Sequence, residues 1–346
     1  MSIGAMEAAR GGGVLRGSRS EQLQDSYQAT LLAPLDMRKV KAELQGEDGG
    51  LTARLLQALR WRLVHSRPGP DRWAVLASWV ECDLLGCRVP VQGGQEGHTV
   101  LQVLSRKEDV LVLEELARLC NALASDRLGR SYLLQAPRRT LGTLFDMLVQ
   151  AGHTAEAVSL QGVDGVGADG QPVALVRDTA LVQQCLVALQ KLSLKRVAQS
   201  TLIALGALPM LAGFMQDLDH LSEFTAEYGS ALVMNLCLRS AGKVAAEACA
   251  PQLLQLCEGL VESRNEQIRT YVNGTLYSVF ARPAICEAAR ARGMEELLMA
   301  VQVCRRGGGG GGVQVGAVGD GCSMVRWVDR RAVVRWVTKW ACCIQA

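Results

Sequence analysis

The sequence predicts an all-α fold in which similar helical units stack along one axis, and two repeating patterns support this prediction. The helical segment at residues 189–192 returns 44 residues later at 233–236, and again 38 residues later at 271–274. Apolar pairs at 210–211, 253–254 and 297–298 are separated by 43 and then 44 residues. A shared period of about 40 to 47 residues is typical of armadillo and HEAT repeats. The predicted fold class is therefore an armadillo/HEAT-like right-handed α-solenoid.

The composition agrees with closely packed helices. Of the 346 residues, 49% are hydrophobic but only 4% are aromatic, so small and aliphatic side chains must fill the core. Because each unit of a solenoid packs only on its neighbours, this length predicts one elongated body. The 37 basic and 34 acidic residues give a net charge of +3, which is too balanced to indicate a nucleic-acid partner.

The N-terminal part divides into two segments. Residues 1–50 are Gly-rich and polar at both ends, so we expect a mostly disordered lead-in with at most a short helix near 31–44. Residues 51–98 are predicted as a helical segment that precedes the repeats. In that segment, a Pro-Gly turn at 66–70 separates two helical patterns, and a Gly-bearing break follows at 89–98.

Residues 99–306 are predicted as armadillo-like repeats. A Gly-rich loop, at about 151–172, is inserted between two of them. Residues 307–346 begin with six glycines and carry neither marker of the repeat, which predicts a linker and a non-native or disordered tail. A basic amphipathic segment for a membrane surface or a partner groove is the alternative for that tail.

No metal, cofactor, small-molecule substrate or membrane span is predicted. The cysteines that lie inside helical apolar patterns are expected to be buried thiols in a reducing compartment, since no Cys-x-x-Cys pair or nearby His supplies ligand spacing. They are Cys120, Cys185, Cys237, Cys249, Cys257 and Cys286. No secretory signal is recognised, and the uncharged run at 197–216 is assigned to a helix end, a turn and a helix start.

Candidate binding residues lie on the third helix of each unit, which lines the concave surface of an armadillo fold. An asparagine there can hold the backbone of an extended peptide, because its amide both donates and accepts hydrogen bonds. Asn121, Asn235 and Asn273 are predicted to form such a ladder, with Lys191 replacing the fourth member. The alternative is that these asparagines only tie adjacent helices together.

Basic residues follow the groove helices. Arg239, Lys195 and Arg196 form a possible basic rim for acidic partners, and the alternative is a merely solvated edge. Readers of basic import signals carry a Trp four residues before each groove asparagine, whereas this chain has Ala117, Ala231 and Arg269. That departure argues against an importin-type reader.

No arrangement of residues indicates an enzyme. The sequence contains no nucleophile elbow, no phosphate-binding Gly loop followed by Lys-Ser/Thr, and no pair of acids in a plausible cleft. We therefore predict a non-enzymatic protein that binds other proteins.

Several segments closely resemble the family of armadillo repeat-containing protein 9, which combines a LisH domain with armadillo repeats. They are residues 228–243, 271–277 and 287–298, and the segments 55–63 and 189–194 look similar, so the likeness extends over about 51–300. The resemblance implies a non-enzymatic scaffold of the cytoskeleton, located at the ciliary basal body or centriole and in the cilium, that supports cilium assembly and stability. No convincing LisH motif precedes residue 51. The alternative is a generic cytosolic armadillo adaptor in ubiquitination or trafficking.

Overall fold

The computed structural model describes residues 15–88, 99–160 and 179–307, and within these ranges every regular element is helical. The helices are α1 Leu15–Leu32, α2 Met37–Gln45, α3 Gly49–His65, α4 Pro70–Glu81, α5 Val100–Ser105, α6 Val110–Ser125, α7 Arg127–Leu133, α8 Pro137–Leu160, α9 Ala180–Leu192, α10 Arg196–Ala204, α11 Ala207–Phe214, α12 Glu223–Cys237, α13 Ser240–Ala248, α14 Ala250–Leu260, α15 Glu266–Val279, α16 Pro283–Ala291 and α17 Met294–Gly307. A short 3₁₀ turn, Leu218–His220, precedes α12.

Five helices pack side by side in chain order: α3, α6, α9, α12 and α15. We call them the inner row. Two other helices separate each member from the next along the chain, which gives three helices per unit, and α16 and α17 continue the pattern. This arrangement confirms the predicted all-α solenoid of armadillo type.

The inner-row helices begin at residues whose side chains accept backbone N–H groups of the first turn. These residues are Asp48, Asp109, Thr179, Ser222 and Asn265. Such capping satisfies donors that have no partner within the helix. The first helices of three units, α10, α13 and α16, begin instead at Lys195, Arg239 and Arg282, which make no side-chain cap. The two kinds of helix start recur through the array.

The corners between helices depend on glycine at particular positions. Gly242 lies so close to the carbonyl oxygen of Leu236 that a Cβ atom would collide with it, and Gly129 makes the same approach to the end of α6. Gly206 and Gly293 adopt left-handed conformations, with φ of 78° and 72°, at the turns from α10 to α11 and from α16 to α17. An L side chain would be strained at those two turns.

The core is one connected cluster of buried residues that extends from Leu44 to Met294. The six cysteines predicted as buried thiols are buried, and they are free thiols, as are Cys82 and Cys87. Burial raises the pKa of the Cys185 and Cys257 thiols to about 12. These side chains therefore pack as small apolar groups.

The expectation of a mostly disordered segment at residues 1–50 is wrong for the part that the structure describes, because α1 forms there in addition to α2, which overlaps the short helix expected near 31–44. Asp36 caps α2, and Leu44 is fully buried in the core. The amide of Gln28 in α1 donates to the carbonyl of His65 and accepts from the backbone N–H of Arg67. Contacts distant in sequence thus hold helices that polar composition alone does not predict. Residues 1–14 lie outside the described ranges.

Other predicted boundaries also shift. The inserted loop was expected from about residue 151, but α8 continues to Leu160, and residues 161–178 lie outside the described ranges. Helical structure resumes at Thr99, which forms a capping box with Gln102. The break at 89–98 and the tail from 308 onward are also outside the described ranges.

No single helix in the described ranges has the length and apolar character needed to cross a membrane. Helices α10 and α11 meet that criterion only as a pair, by length and composition alone, with a bend of 76° between them.

Candidate binding surface

The inner row is joined by side-chain hydrogen bonds between neighbouring helices. Between α3 and α6, Arg60 Nε lies 3.0 Å from Glu115 Oε2. At the other end of the row, Asn265 Nδ2 donates to Glu227 Oε2 over 2.8 Å, which connects the start of α15 to α12. Polar groups on this surface therefore already bind one another to a large extent, and a ligand can use only those that remain.

Asn121 is bonded on both sides of its amide. Its Nδ2 donates to Gln184 Oε1 over 2.7 Å, and its Oδ1 accepts from Lys191 Nζ over 2.6 Å. Lys191 Nζ also donates to Ser125 Oγ over 2.8 Å. Burial, and secondarily the charge of Arg130, lowers the pKa of Lys191. Two of the predicted site residues thus form one polar cluster between α6 and α9.

Asn235 lies beneath the surface, with 1% of the residue exposed. Its Nδ2 donates to Ser193 Oγ over 2.8 Å, and that hydroxyl donates to the carbonyl of Gln190 over 2.6 Å. The amide therefore ties the end of α12 to the end of α9, which is the alternative role stated for the asparagines.

Asn273 differs from the other two asparagines. It is half-buried on α15, and its side chain makes no hydrogen bond to any residue that the structure describes. It also occupies a different register. Asn235 lies four residues before Arg239, where the next helix begins, whereas Asn273 lies nine residues before Arg282. Position 278, a buried serine, is the equivalent of Asn235 in α15.

The predicted ladder of equivalent asparagines is therefore wrong in register. The starts of α12 and α15 are 43 residues apart, so the spacing of 38 residues between the two Asn-bearing segments is not the structural period. Of the residues proposed from the sequence, Asn121 and Lys191 lie in contact in the structure. Asn273 and Asn235 do not occupy equivalent positions on their helices.

Arg239 is half-buried at the start of α13 and forms no ion pair with a described residue. The three positions compared with an importin-type reader present no aromatic ring. Ala117 and Ala231 are buried, and Arg269 Nη1 donates to the backbone carbonyls of Ser263 and Arg264. Stacking of lysine stems between indoles has no counterpart at these positions.

An aromatic group on the inner row was missed by the sequence analysis. Phe224 and Tyr228, one turn apart on α12, have ring centroids 4.7 Å apart, and Phe224 is 40% exposed. Burial, followed by the nearby Glu227 and Tyr228, raises the pKa of Tyr271 on α15. The spacing of 43 residues between Tyr228 and Tyr271, equal to the distance between helix starts, was the available signal.

Among the residues that the structure describes, no group of three or more His, Cys, Asp or Glu side chains is placed to hold a metal ion. The chemistry visible on the inner row is hydrogen bonding, charge and aromatic contact. These are the interactions with which a surface holds a polypeptide.

Solved structures with a similar fold include designed armadillo repeat proteins. A computationally designed armadillo repeat protein for modular peptide recognition matches 87% of this chain and 99% of its own, with a TM-score of 0.55 and 12% identity. A designed armadillo repeat protein in complex with the peptide (KR)4 matches 78% of this chain and 92% of its own, with a TM-score of 0.53 and 13% identity. At these identities the likeness shows the fold alone.

Sequence comparison finds similarity to one family of armadillo proteins. Residues 202–305 match the family described as the ARM repeats of LisH domain-containing protein ARMC9. The chain is 39% identical to that protein of Mus musculus over 278 residues, which are 80% of this chain and 30% of the relative. For the Homo sapiens protein the identity is 39%, over 78% of this chain and 29% of the relative. This chain thus spans about 30% of the length of these relatives, and its armadillo repeats at residues 202–305 match those of the ARMC9 family.

Proposed function

We propose that the protein is a non-enzymatic armadillo scaffold of the ciliary basal body or centriole and of the cilium, where it supports cilium assembly and stability. The observation that carries this proposal is the match of the repeats to the ARMC9 family. The armadillo fold agrees with it, because a stacked array presents a long surface for partners. The ciliary role itself rests on the resemblance to the family, over the part of the relatives that this chain spans.

The proposed scaffold holds a partner helix or an extended peptide along the inner row. A designed armadillo repeat protein of the same fold is in complex with a peptide, which supports this use of the surface. Among the described residues of the inner row, the groups that remain available include the amide of Asn273 on α15 and the exposed ring of Phe224, which contacts Tyr228 on α12. An aromatic surface can bury apolar side chains, and an amide with no bond to a described residue can bind a peptide backbone.

Imaging tests the cellular part of the proposal. A tagged copy of the full chain, expressed in ciliated cells, is expected to concentrate at basal bodies and along cilia. A diffuse signal without basal-body enrichment would favour the second candidate, a cytosolic adaptor in ubiquitination or trafficking without a ciliary role. Proximity labelling from the same tagged copy would then name the partners in either location.

Substitution of Asn273 tests whether the inner row binds a partner. We expect Asn273→Ala to reduce the labelling of direct partners while the helical circular dichroism stays unchanged, because the amide has no bond to a described residue to lose. The matched control is Gln255→Ala, which removes an exposed amide from α14, outside the inner row. Equal labelling by Asn273→Ala and the unsubstituted chain would show that this amide takes no part in binding.

A further inference from the structure

A set of cations lies at the C-terminal ends of α6, α9 and α12. Its members, which we call the basic edge, are Arg130, Lys191, Lys195 and Arg239. The bond from Lys191 to Ser125 places the end of α9 against the end of α6. The bond from Asn235 to Ser193 places the end of α12 against the end of α9. The cations therefore follow one another along one side of the inner row.

No carboxylate in the described ranges forms an ion pair with the basic edge. Lys191 Nζ binds the neutral oxygens of Asn121 and Ser125. Arg130 Nη1 binds the backbone carbonyls of Ala124 and Ser125, at 2.8 and 3.0 Å. Lys195 and Arg239 are half-buried and make no side-chain hydrogen bond to a described residue. Neighbouring cations that form no ion pair attract anions, and burial weakens the screening of that attraction by water.

Local helix stability does not explain these residues. Lys195 and Arg239 are the N-cap residues of α10 and α13, a position that favours Ser, Thr, Asp or Asn. A cation there also opposes the positive end of the helix dipole. The equivalent N-cap of α7 is Asp126, whose side chain accepts from the backbone N–H of Leu128. A stabilising residue can thus occupy this backbone position, but in the next three units a cation that makes no side-chain cap occupies it instead.

The following unit shows how such a cation can be neutralised. Arg282, the N-cap of α16, forms a two-pronged ion pair with Glu247 of α13, at 2.7 and 2.9 Å. Glu247 lies eight residues after the N-cap of its own helix. The residue equivalent to Glu247 that could pair with Arg239 is Ile203, and the one that could pair with Lys195 is Leu134. Neither side chain carries a charge. Ile203 does lie against the start of α13, since its Cδ1 would be 3.3 Å from a Cβ atom at position 242.

We propose that the basic edge binds the carboxylates of an acidic segment in a protein partner. This proposal rests on the proposed function, since it specifies the charge of the polypeptide that lies along the inner row. A nucleic acid is a poorer fit because the opposite, N-terminal ends of α12 and α15 carry Glu223, Glu227 and Glu266. These side chains would repel a continuous polyphosphate, whereas a polypeptide can place its acidic residues on one side only.

The test measures binding of labelled poly-L-glutamate to the full chain by fluorescence anisotropy. The variant Lys195→Glu with Arg239→Glu reverses two charges of the basic edge. It is expected to fold, because an acidic residue at a helix N-terminus is favourable. The control pair Arg138→Glu with Arg290→Glu makes the same change in net charge at exposed sites on α8 and α16. Poly-L-lysine and oligothymidylate serve as comparison probes.

We expect the variant to weaken poly-L-glutamate binding by about tenfold or more and the control pair by no more than about twofold. Binding by the unsubstituted chain should also weaken as salt rises from about 0.05 to 0.3 M. An equal loss in both pairs, or no binding at low salt, would overturn the proposal. Tighter binding of oligothymidylate that the same variant removes would instead indicate a nucleic-acid surface. Imaging in ciliated cells is independent of these outcomes, so failure of the ciliary role and failure of the basic edge are distinguishable.

Discussion

Replacing Asn235 by alanine tests whether this asparagine is a structural tie or a ligand group. The substitution removes the Nδ2 donor and leaves a gap between α12 and α9, beside a Ser193 hydroxyl that has lost a partner. A buried hydrogen bond deleted from one side costs about 1 to 3 kcal/mol. Because the residue is 1% exposed, water cannot replace the lost contact without a rearrangement. We expect the free energy of unfolding to fall by about 2 kcal/mol.

A double-mutant cycle isolates the bond. Asn235→Ala and Ser193→Ala are measured alone and together by urea unfolding, and the coupling free energy between the two sites is expected to be about 1 kcal/mol. Repeat arrays can unfold in steps, so circular dichroism and tryptophan fluorescence must give coincident transitions before free energies are compared. Asn273→Ala is the matched control, and it should change stability by no more than about 0.5 kcal/mol.

Both measurements test whether Asn235 stabilises the contact between α12 and α9. A coupling energy near zero, together with a small cost for Asn235→Ala, would mean that the bond to Ser193 does not form in solution. The amide would then be available on the inner row, as the sequence first suggested. A loss of partner binding without any loss of stability would support that reading further.

Three further predictions concern the helix ends. Gly242→Ala should destabilise by about 1 to 3 kcal/mol, because its Cβ meets a backbone carbonyl, whereas Gly213→Ala, in open space, should be neutral or stabilising in thermal melts. The hydrogen bond from Arg282 lowers the pKa of Glu247. Glu247→Gln should therefore reduce the free energy of unfolding at neutral pH, and its difference from the unsubstituted chain should vanish as the pH falls through that lowered pKa. A pH-independent difference would contradict this. Arg239→Asp should raise stability by about 1 kcal/mol through N-capping, and an unchanged melting temperature would show that no cap forms.

The sequence was sufficient for the fold because the array repeats a local pattern. A helical period that returns every 43 or 44 residues identifies stacked units without knowledge of any distant contact. Helix α1 was missed for the opposite reason, whereas α2 overlaps the short helix expected near 31–44. Polar α1 contacts the end of α3 through Gln28, and a contact over 37 residues in sequence leaves no local signal. Likewise, nothing in the glycine-bearing segment after Gln150 indicated that α8 continues to Leu160.

The candidate site was harder to predict because register on a helix is decided by single residues. An error of five residues in aligning Asn273 with Asn235 moves a side chain by more than one turn of α-helix. Alignment by capping residues is more secure, since Ser222 and Asn265 begin α12 and α15 in the same way. Hydrogen-bond partners such as Ser193 cannot be read from sequence at all. They depend on how neighbouring helices slide along each other.

Stability and recognition make opposite demands on one position of this repeat. At the N-cap of the first helix, Asp126 satisfies a backbone donor, whereas Lys195 and Arg239 leave that donor without a cap and add a charge. The array tolerates this because buried residues such as Ala198 and Leu202 fix α10 by packing. If the charges had no role, an acidic or hydroxyl residue would be the more stable choice. In three consecutive units a cation occupies this position, and for two of them, Lys195 and Arg239, no carboxylate in the described ranges forms an ion pair with it, which is the arrangement expected if the charge serves binding.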